Sequence, residues 1–336
     1  DYGVKHVVKL EQNYRSTSHI LDAANAVIAN NENRMGKNLW TDAGAGDRIT
    51  IYEAADDKDE ARSLTQEVLT DHRSGRPWKD FAVLYRNNAQ SRLIEQYLTA
   101  NAVPYRIYGG LRFFDRAEVK DVTAYLRLLS NPEDTSLLRV INQPPRGIGL
   151  TTMERITQEA QSRGVTLWQC LTDWQQDPAL VRRAGAFVSI INDMKAACEG
   201  LSLAKVVEVV LEKSGLKAFY EGKPDKDIRL ENMGEVINAA SGWYKENGIE
   251  EDAPALDVNE DLGMSPLDGF LSQAALEADD KNEEEVRDCV QMMTVHASKG
   301  LEFPVVVLCG LEEGLFPHAA RGDEDADKAI GEERRV

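Results

Sequence analysis

Several short strings in this chain of 336 residues carry polar or charged side chains where a ligand could meet them. Gln12-Asn13-Tyr14-Arg15 stands ahead of a Ser/Thr-capped run, Ser16 to Asn30, in which Ile20, Leu21, Ala24, Val27 and Ile28 share one helical face. Backbone N–H groups at a helix start, with an arginine beside them, suit an anion; an ion pair between Arg15 and a nearby carboxylate is the plainer use of the same residue. Tyr14 reads equally well as a core ring or as an exposed aromatic face. The loop Arg86-Asn87-Asn88-Ala89-Gln90-Ser91-Arg92 follows a short apolar strand, where Asn and Arg can hold a phosphate or a base edge or simply be solvated. Pro145-Arg146-Gly147-Ile148-Gly149 precedes a helix with Met153, Ile156 and Ala160 inward. Its backbone N–H groups can meet a duplex phosphate, or its glycines can serve only a tight corner. Lys299 in Ser298-Lys299-Gly300 lacks the preceding GxxxxG and is not a P-loop lysine.

The elements that must position these strings alternate in type. A strand over Gly46 to Tyr52 (Ile49, Ile51 inward), a helix over Asp57 to Ser74, a buried strand at Phe81 to Tyr85, a helix burying Leu93, Ile94, Tyr97 and Leu98, and a strand at Val103 to Tyr108 make a βαβ pattern. From Phe113 the character is helical. Asp115 and Glu118 read as a capping box opening a helix through Leu129, which Asn131-Pro132 ends. Further helices run over Leu203 to Leu211, Leu230 to Tyr244 and Leu267 to Leu276, and Trp168, Trp174, Phe187, Ile190, Ile191 and Met194 read as core. Glu246 to Asp261 reads as an acidic loop and Asp279 to Glu285 as a charged linker. Strand character returns at Met292, and Phe303 to Cys309 reads as a strand buried on both faces of a parallel sheet. The expectation is an α/β fold with a parallel-sheet domain, residues 1–108 and 288–336, split by a mostly helical domain at 109–287.

The formal charge of −18 disfavours a nucleic-acid partner only as a whole-chain sum. The acid is concentrated in 250–288 and 323–333, while basic residues gather at 86–92, 106–127 and around Arg146. Four separated cysteines with no CxxC pair exclude a recognisable zinc pattern, and no apolar run reaches the roughly 20 residues of a membrane helix. The composition predicts a soluble intracellular protein.

Five strings, read together, resemble the superfamily 1 DNA helicases of the UvrD/PcrA/Rep type. They are Gln12 to Ser16, Asn88 to Arg92, Tyr108-Gly109-Gly110 with Phe113 to Arg116, Pro145 to Gly149, and Val295 to Pro304. The resemblance covers nearly the whole chain in order and spacing. It implies that the split sheet is the second RecA-like domain of an ATP-driven motor in the bacterial cytoplasm. It also implies that Tyr14 stacks on adenine, Arg15 meets the γ-phosphate as the catalytic residue, and Glu302 holds the ribose. Asn88, Arg92, His296 and His318 would touch single-stranded DNA. Arg146, Gly147, Ile148, Gly149 and Thr152 would grip the duplex at the junction.

The chain contains no GxxxxGK[ST] and no strand ending in Asp-Glu that could hold Mg²⁺. The expectation is a C-terminal portion of a larger helicase, inactive alone, whose Mg²⁺ ligands lie in a preceding domain. A non-catalytic DNA- or protein-binding module on a motor scaffold is the alternative, and the helical insertion is a possible docking surface for DNA-repair proteins.

Overall fold

The computed structural model describes residues 9–31, 36–108, 110–173, 178–259, 262–278, 288–317 and 326–335. Gly109, Trp174, His318 and the 279–285 charge run lie outside them. Internal packing divides the chain into two units, Asp1–Gly110 with Val286–Val336, and Leu111–Glu285.

The first unit carries helices α1 (Ser18–Ala29) and α2 (Asp57–Arg73), strand β1 (Phe81–Tyr85), helix α3 (Ser91–Ala100) and strand β2 (Tyr105–Ile107). The second carries α4 (Ala117–Ser130), α5 (Asp134–Val140), α6 (Leu150–Arg163), α7 (Leu167–Thr172), α8 (Pro178–Ala197), α9 (Leu203–Lys213), α10 (Leu216–Glu221), α11 (Lys226–Glu246) and α12 (Pro266–Ala278). The chain then returns to the first unit with β3 (Val290–Thr294), β4 (Val305–Leu308) and α13 (Ala326–Glu333).

The four strands form one parallel sheet in the order β2-β3-β1-β4. Phe81-Ala82-Val83-Leu84-Tyr85 is buried on both faces because β1 has a strand on either side and side chains above and below. One face packs Phe81, Val83 and Tyr85 against Ala61, Leu64 and Val68 of α2 and Leu93, Ile94 and Leu98 of α3. On the other face, Ala82, Leu84 and Met293 meet Val295, Ala297, Leu301 and Phe303 of the 295–304 loop. That loop carries the chain from the C-terminal end of β3 to the N-terminal end of β4. Full burial of a side chain such as Met293 contributes roughly 2 kcal/mol, so the loop is held to the sheet by its own apolar residues.

Three expectations change. Gly46 to Tyr52 forms no ladder among the described residues, and Ile51 is 90% exposed, because alternation defines a strand face but cannot supply a neighbouring edge. The apolar run at Phe303 to Cys309 is an outer strand in the described sheet, with Val306 and Leu308 half-exposed. An apolar run does not distinguish an outer strand from a central one. In α1 only Leu21 is buried, while Ile20 and Val27 remain about half-exposed.

In the helical unit α4 is the hub, contacting α5, α8, α9, α11 and α12. It buries Val119, Val122, Tyr125, Leu126 and Leu129, so it is apolar on more than one face. The acidic stretch after α11 is anchored rather than loose: Ala255 is fully buried, and its N–H donates to the Leu201 carbonyl over 2.8 Å.

Candidate functional site

Asn13 sets the geometry ahead of α1. Its Oδ1 accepts from the backbone N–H of Arg15 (2.9 Å) and of Ser16 (2.8 Å), and its own N–H donates to the Trp40 carbonyl (2.7 Å). The resulting turn leaves Tyr14 85% exposed. The phenol is steered by its own neighbours, donating to Gln12 Oε1 over 2.8 Å while Gln12 Nε2 donates to Asp42 Oδ2 over 3.0 Å. Arg15 Nε lies 3.3 Å from Glu302 Oε2, with the two side chains 55% and 74% exposed. Glu302 stands in the 295–304 loop just before β4, so residues from opposite ends of the chain meet on one surface. An ion pair this exposed contributes at most about 1 kcal/mol and opens readily for a competing anion.

Asn88 and His296 follow the C-terminal ends of β1 and β3, which are hydrogen-bonded neighbours in the sheet. His296 is exposed and Asn88 half-buried. One loop therefore places His296 at the C-terminal edge of the sheet and Glu302 near the N-terminal edge. The rest of the Asn88 string turns inward. Gln90 Oε1 accepts from Asn87 N (2.7 Å) in a reciprocal capping box. Ser91 Oγ donates to the buried Glu95 carboxylate and lies 2.9 Å from the Asn88 carbonyl oxygen, the other acceptor in reach of its one proton. Arg92 is 7% exposed, and its guanidinium donates to Gln96 Oε1 (3.3 Å). The Arg92 guanidinium, expected at DNA, is turned here to its own helix. His318 lies outside the described residues.

In the helical unit, the turn before α6 is held by Asn142, whose Oδ1 accepts from the N–H of Arg146 (2.7 Å) and of Ile148 (3.1 Å). Gly147 (φ +72°) and Gly149 are exposed, and Thr152 is half-buried in the first turn with its N–H on the Gly149 carbonyl (3.0 Å). Arg183 on α8 donates to the Gly147 carbonyl over 2.9 Å. Two residues expected at the duplex are engaged within the turn itself. The Arg146 guanidinium donates to the carbonyls of Val140 (3.1 Å), Pro144 (3.1 Å) and Ser214 (2.8 Å), and lies over the rings of Tyr125 and Phe187. Ile148 is buried in the helical core and its N–H is taken by Asn142. Both act as struts of the turn. Neither Asn142 nor Arg183 was singled out beforehand as a holder of the turn, although an Asn four residues before Arg146 is a usable signal.

The capping box expected of Asp115 and Glu118 does not form. Arg116 occupies the cap of α4 without a side-chain bond, and Asp115 pairs with Lys120 at 2.6 Å. Glu118 is buried and accepts from Arg229 Nη1 (2.7 Å) and Asn232 Nδ2 (2.6 Å), while Asn232 Oδ1 accepts from Arg116 Nη1 (2.9 Å). Asp121 accepts from Tyr220 OH (2.6 Å) and pairs with Arg139 (2.8 Å). Burial pushes the Tyr220 phenol well up, and its bond to Asp121 adds to the rise. A tertiary ion pair in a dry site outcompetes a local cap because the carboxylate must be matched wherever it is buried. Burial also pushes the neighbouring Tyr125 phenol up to about 12, opposed by Arg146 and reinforced by Asp121.

Among the described residues no group of three or more His, Cys, Asp or Glu side chains is placed to hold a metal ion, and no helix is long and apolar enough to cross a membrane. The four cysteines are free and buried.

The family model for the UvrD-like helicase C-terminal domain matches residues 8–336. DNA helicase II of Escherichia coli K12 is 41% identical over the whole chain, and DNA helicase II of Haemophilus influenzae is 40% identical over 98% of it. The ATP-dependent DNA helicase PcrA of Leuconostoc citreum is 39% identical over the whole chain. The chain spans 46%, 44% and 44% of the lengths of these three proteins, less than half of each. With strings from both units falling inside the matched residues, the chain belongs to the family of UvrD-like helicase C-terminal domains.

Proposed function

We propose that this chain is the second RecA-like lobe, with its helical insertion, of an ATP-dependent DNA helicase that translocates 3′ to 5′ in DNA repair or replication. It supplies half of the ATP site and part of the DNA track, and is inactive alone. The observation that carries this reading is the meeting of Arg15 with Glu302, with the exposed Tyr14 next to Arg15 in the chain. An aromatic face suits adenine, a carboxylate suits ribose hydroxyls, and a planar cation suits phosphate. Without nucleotide, Glu302 holds Arg15 in a weak exposed pair; a phosphate replaces that carboxylate, and Arg15 then stabilises charge developing on the transferred group. Mg²⁺ ligands belong to the preceding lobe, as does the phosphate-gripping lysine. ATP closes the two lobes and hydrolysis reopens them, and this alternation exchanges grips on the strand.

Asn88 and His296, which follow the ends of neighbouring strands, form the single-strand contact of this lobe together with His318. Gly147, Gly149 and Thr152 meet the duplex at the junction, with Arg146 and Ile148 fixing the turn from behind. DNA-repair proteins dock on the helical insertion. The protein works in the bacterial cytoplasm.

The test is Arg15→Ala in the full-length protein. The ATPase rate is expected to fall about a hundredfold or more while single-strand affinity changes little. An unaltered rate removes Arg15 from the mechanism. The isolated chain mixed with ATP, Mg²⁺ and single-stranded DNA is expected to release no phosphate above background.

A further inference from the structure

We infer that Gln90, Gly310 and Glu60 form an interlock that sets the position of the turn after β1, making Gln90 a positioning residue for DNA binding through Asn88. The inference rests on the proposed single-strand role of Asn88.

The backbone N–H of Cys309 still donates to the Leu84 carbonyl over 2.9 Å, so β4 stays laddered to β1 up to that residue. Gly310 is the next residue, buried and at φ +67°. Its N–H donates to Glu60 Oε1 of α2 over 2.8 Å. Its other side is covered by Gln90: a Cβ on Gly310 would stand 2.1 Å from Gln90 Nε2 and 3.1 Å from Leu315 Cδ2. The same Gln90 amide turns its oxygen to Asn87 N at 2.7 Å, latching the turn that contains Asn88. One planar amide thus bears on two loops, with oxygen latching one and nitrogen resting on the backbone of the other. Glu60 fixes that backbone from α2.

The amide is rigid, so displacing its nitrogen also displaces its oxygen. A methyl group at position 310 pushes Nε2 away, swings Oε1 off Asn87 N–H and frees the turn. The left-handed backbone favours glycine there, and a Cβ is accommodated only by moving the Gln90 amide. Neither constraint follows from the sequence, since Glu60, Gln90 and Gly310 are far apart in the chain.

The experiment uses the full-length protein and fluorescein-labelled oligothymidylate, with affinity read by anisotropy well below each variant's Tm. Gly310→Ala is expected to weaken binding about tenfold, and Gln90→Ala about threefold. The double variant is expected to be no weaker than Gly310→Ala alone, since truncating Gln90 removes the clash. Adding Asn88→Ala to Gly310→Ala is expected to cost little more. If Gly310→Ala does not fold, Glu60→Gln keeps the oxygen but loses the charge and is expected to weaken binding about twofold. Wild-type affinity in Gly310→Ala, or in Glu60→Gln where that variant stands in, overturns the interlock, as do effects that multiply independently. Such a result beside weakened binding in Asn88→Ala sinks the interlock alone. Unchanged binding in Asn88→Ala sinks both the DNA role of this turn and the interlock built on it.

Discussion

The sheet unit and the helical unit both carry polar strings of the kind that mark ligand sites, yet they use them differently. In the sheet unit Tyr14, Arg15, His296 and Glu302 stand in solvent, and the one ion pair among them is exposed on both sides. In the helical unit Arg116, Glu118 and Asp121 are buried, and Arg146 is occupied by three carbonyls and two rings. A charge that is already matched inside a protein has little left to give a ligand, whereas an exposed pair opens at small cost. The same contrast recurs around Asn88, which is half-buried while Ser91 closes on the buried Glu95 and the buried Arg92 turns to Gln96.

Substitutions that separate function from stability sharpen this contrast or break it. The largest effect is expected at Arg15→Ala in the full-length protein, a rate loss of about a hundredfold, equivalent to roughly 3 kcal/mol, with Tm within a degree or two. A fall in Tm comparable to that of a core variant would erase the distinction. Glu118→Ala should do the reverse, destabilising the chain by about 3 kcal/mol in urea unfolding, because the buried Asn232 amide loses its acceptor and Arg229 is left with Asp225. Arg146→Ala should cost about 2 kcal/mol of stability and leave the salt dependence of duplex binding unchanged. A shallower salt slope would return Arg146 to the phosphate.

Alkaline pH offers a gentler probe of the same region. The Tyr125 phenol ionises near 10 in the unfolded chain and is pushed up to about 12 in the folded one. Its contribution is fully present below pH 10 and is lost as pH rises towards 12, on the order of 2 kcal/mol in all. Urea midpoints between pH 9 and 12 should therefore fall more steeply in the wild type than in Tyr125→Phe. The smallest effect is expected at Arg86, which makes a bidentate pair with Glu333 of α13 at 2.9 and 2.7 Å. Arg86→Gln should cost about 1 kcal/mol, with the same variant nearly silent in a Glu333→Gln background.

Much of this was legible in the linear pattern. Phe81 to Tyr85 announces a buried strand, Ala61, Leu64 and Val68 fall on one face of α2, and Gly164 ends α6 in a left-handed turn. Roles for Tyr14, Arg15 and Glu302 are implied by the family resemblance of their strings and not by periodicity or composition. Periodicity could not reveal that Ile49 and Ile51 have no strand partner among the described residues, or that Glu118 would abandon a local cap for Arg229.

The sequence by itself determined most of the helices, the central strands and their interruption by helices, and which residues have chemistry to offer, because these follow from local periodicity and side-chain type. Only the tertiary structure decided which of those residues remain open to a ligand and which are consumed as partners. Exposure and pairing depend on groups brought together from distant parts of the chain, as Glu60, Gln90 and Gly310 are, and no local pattern encodes that meeting.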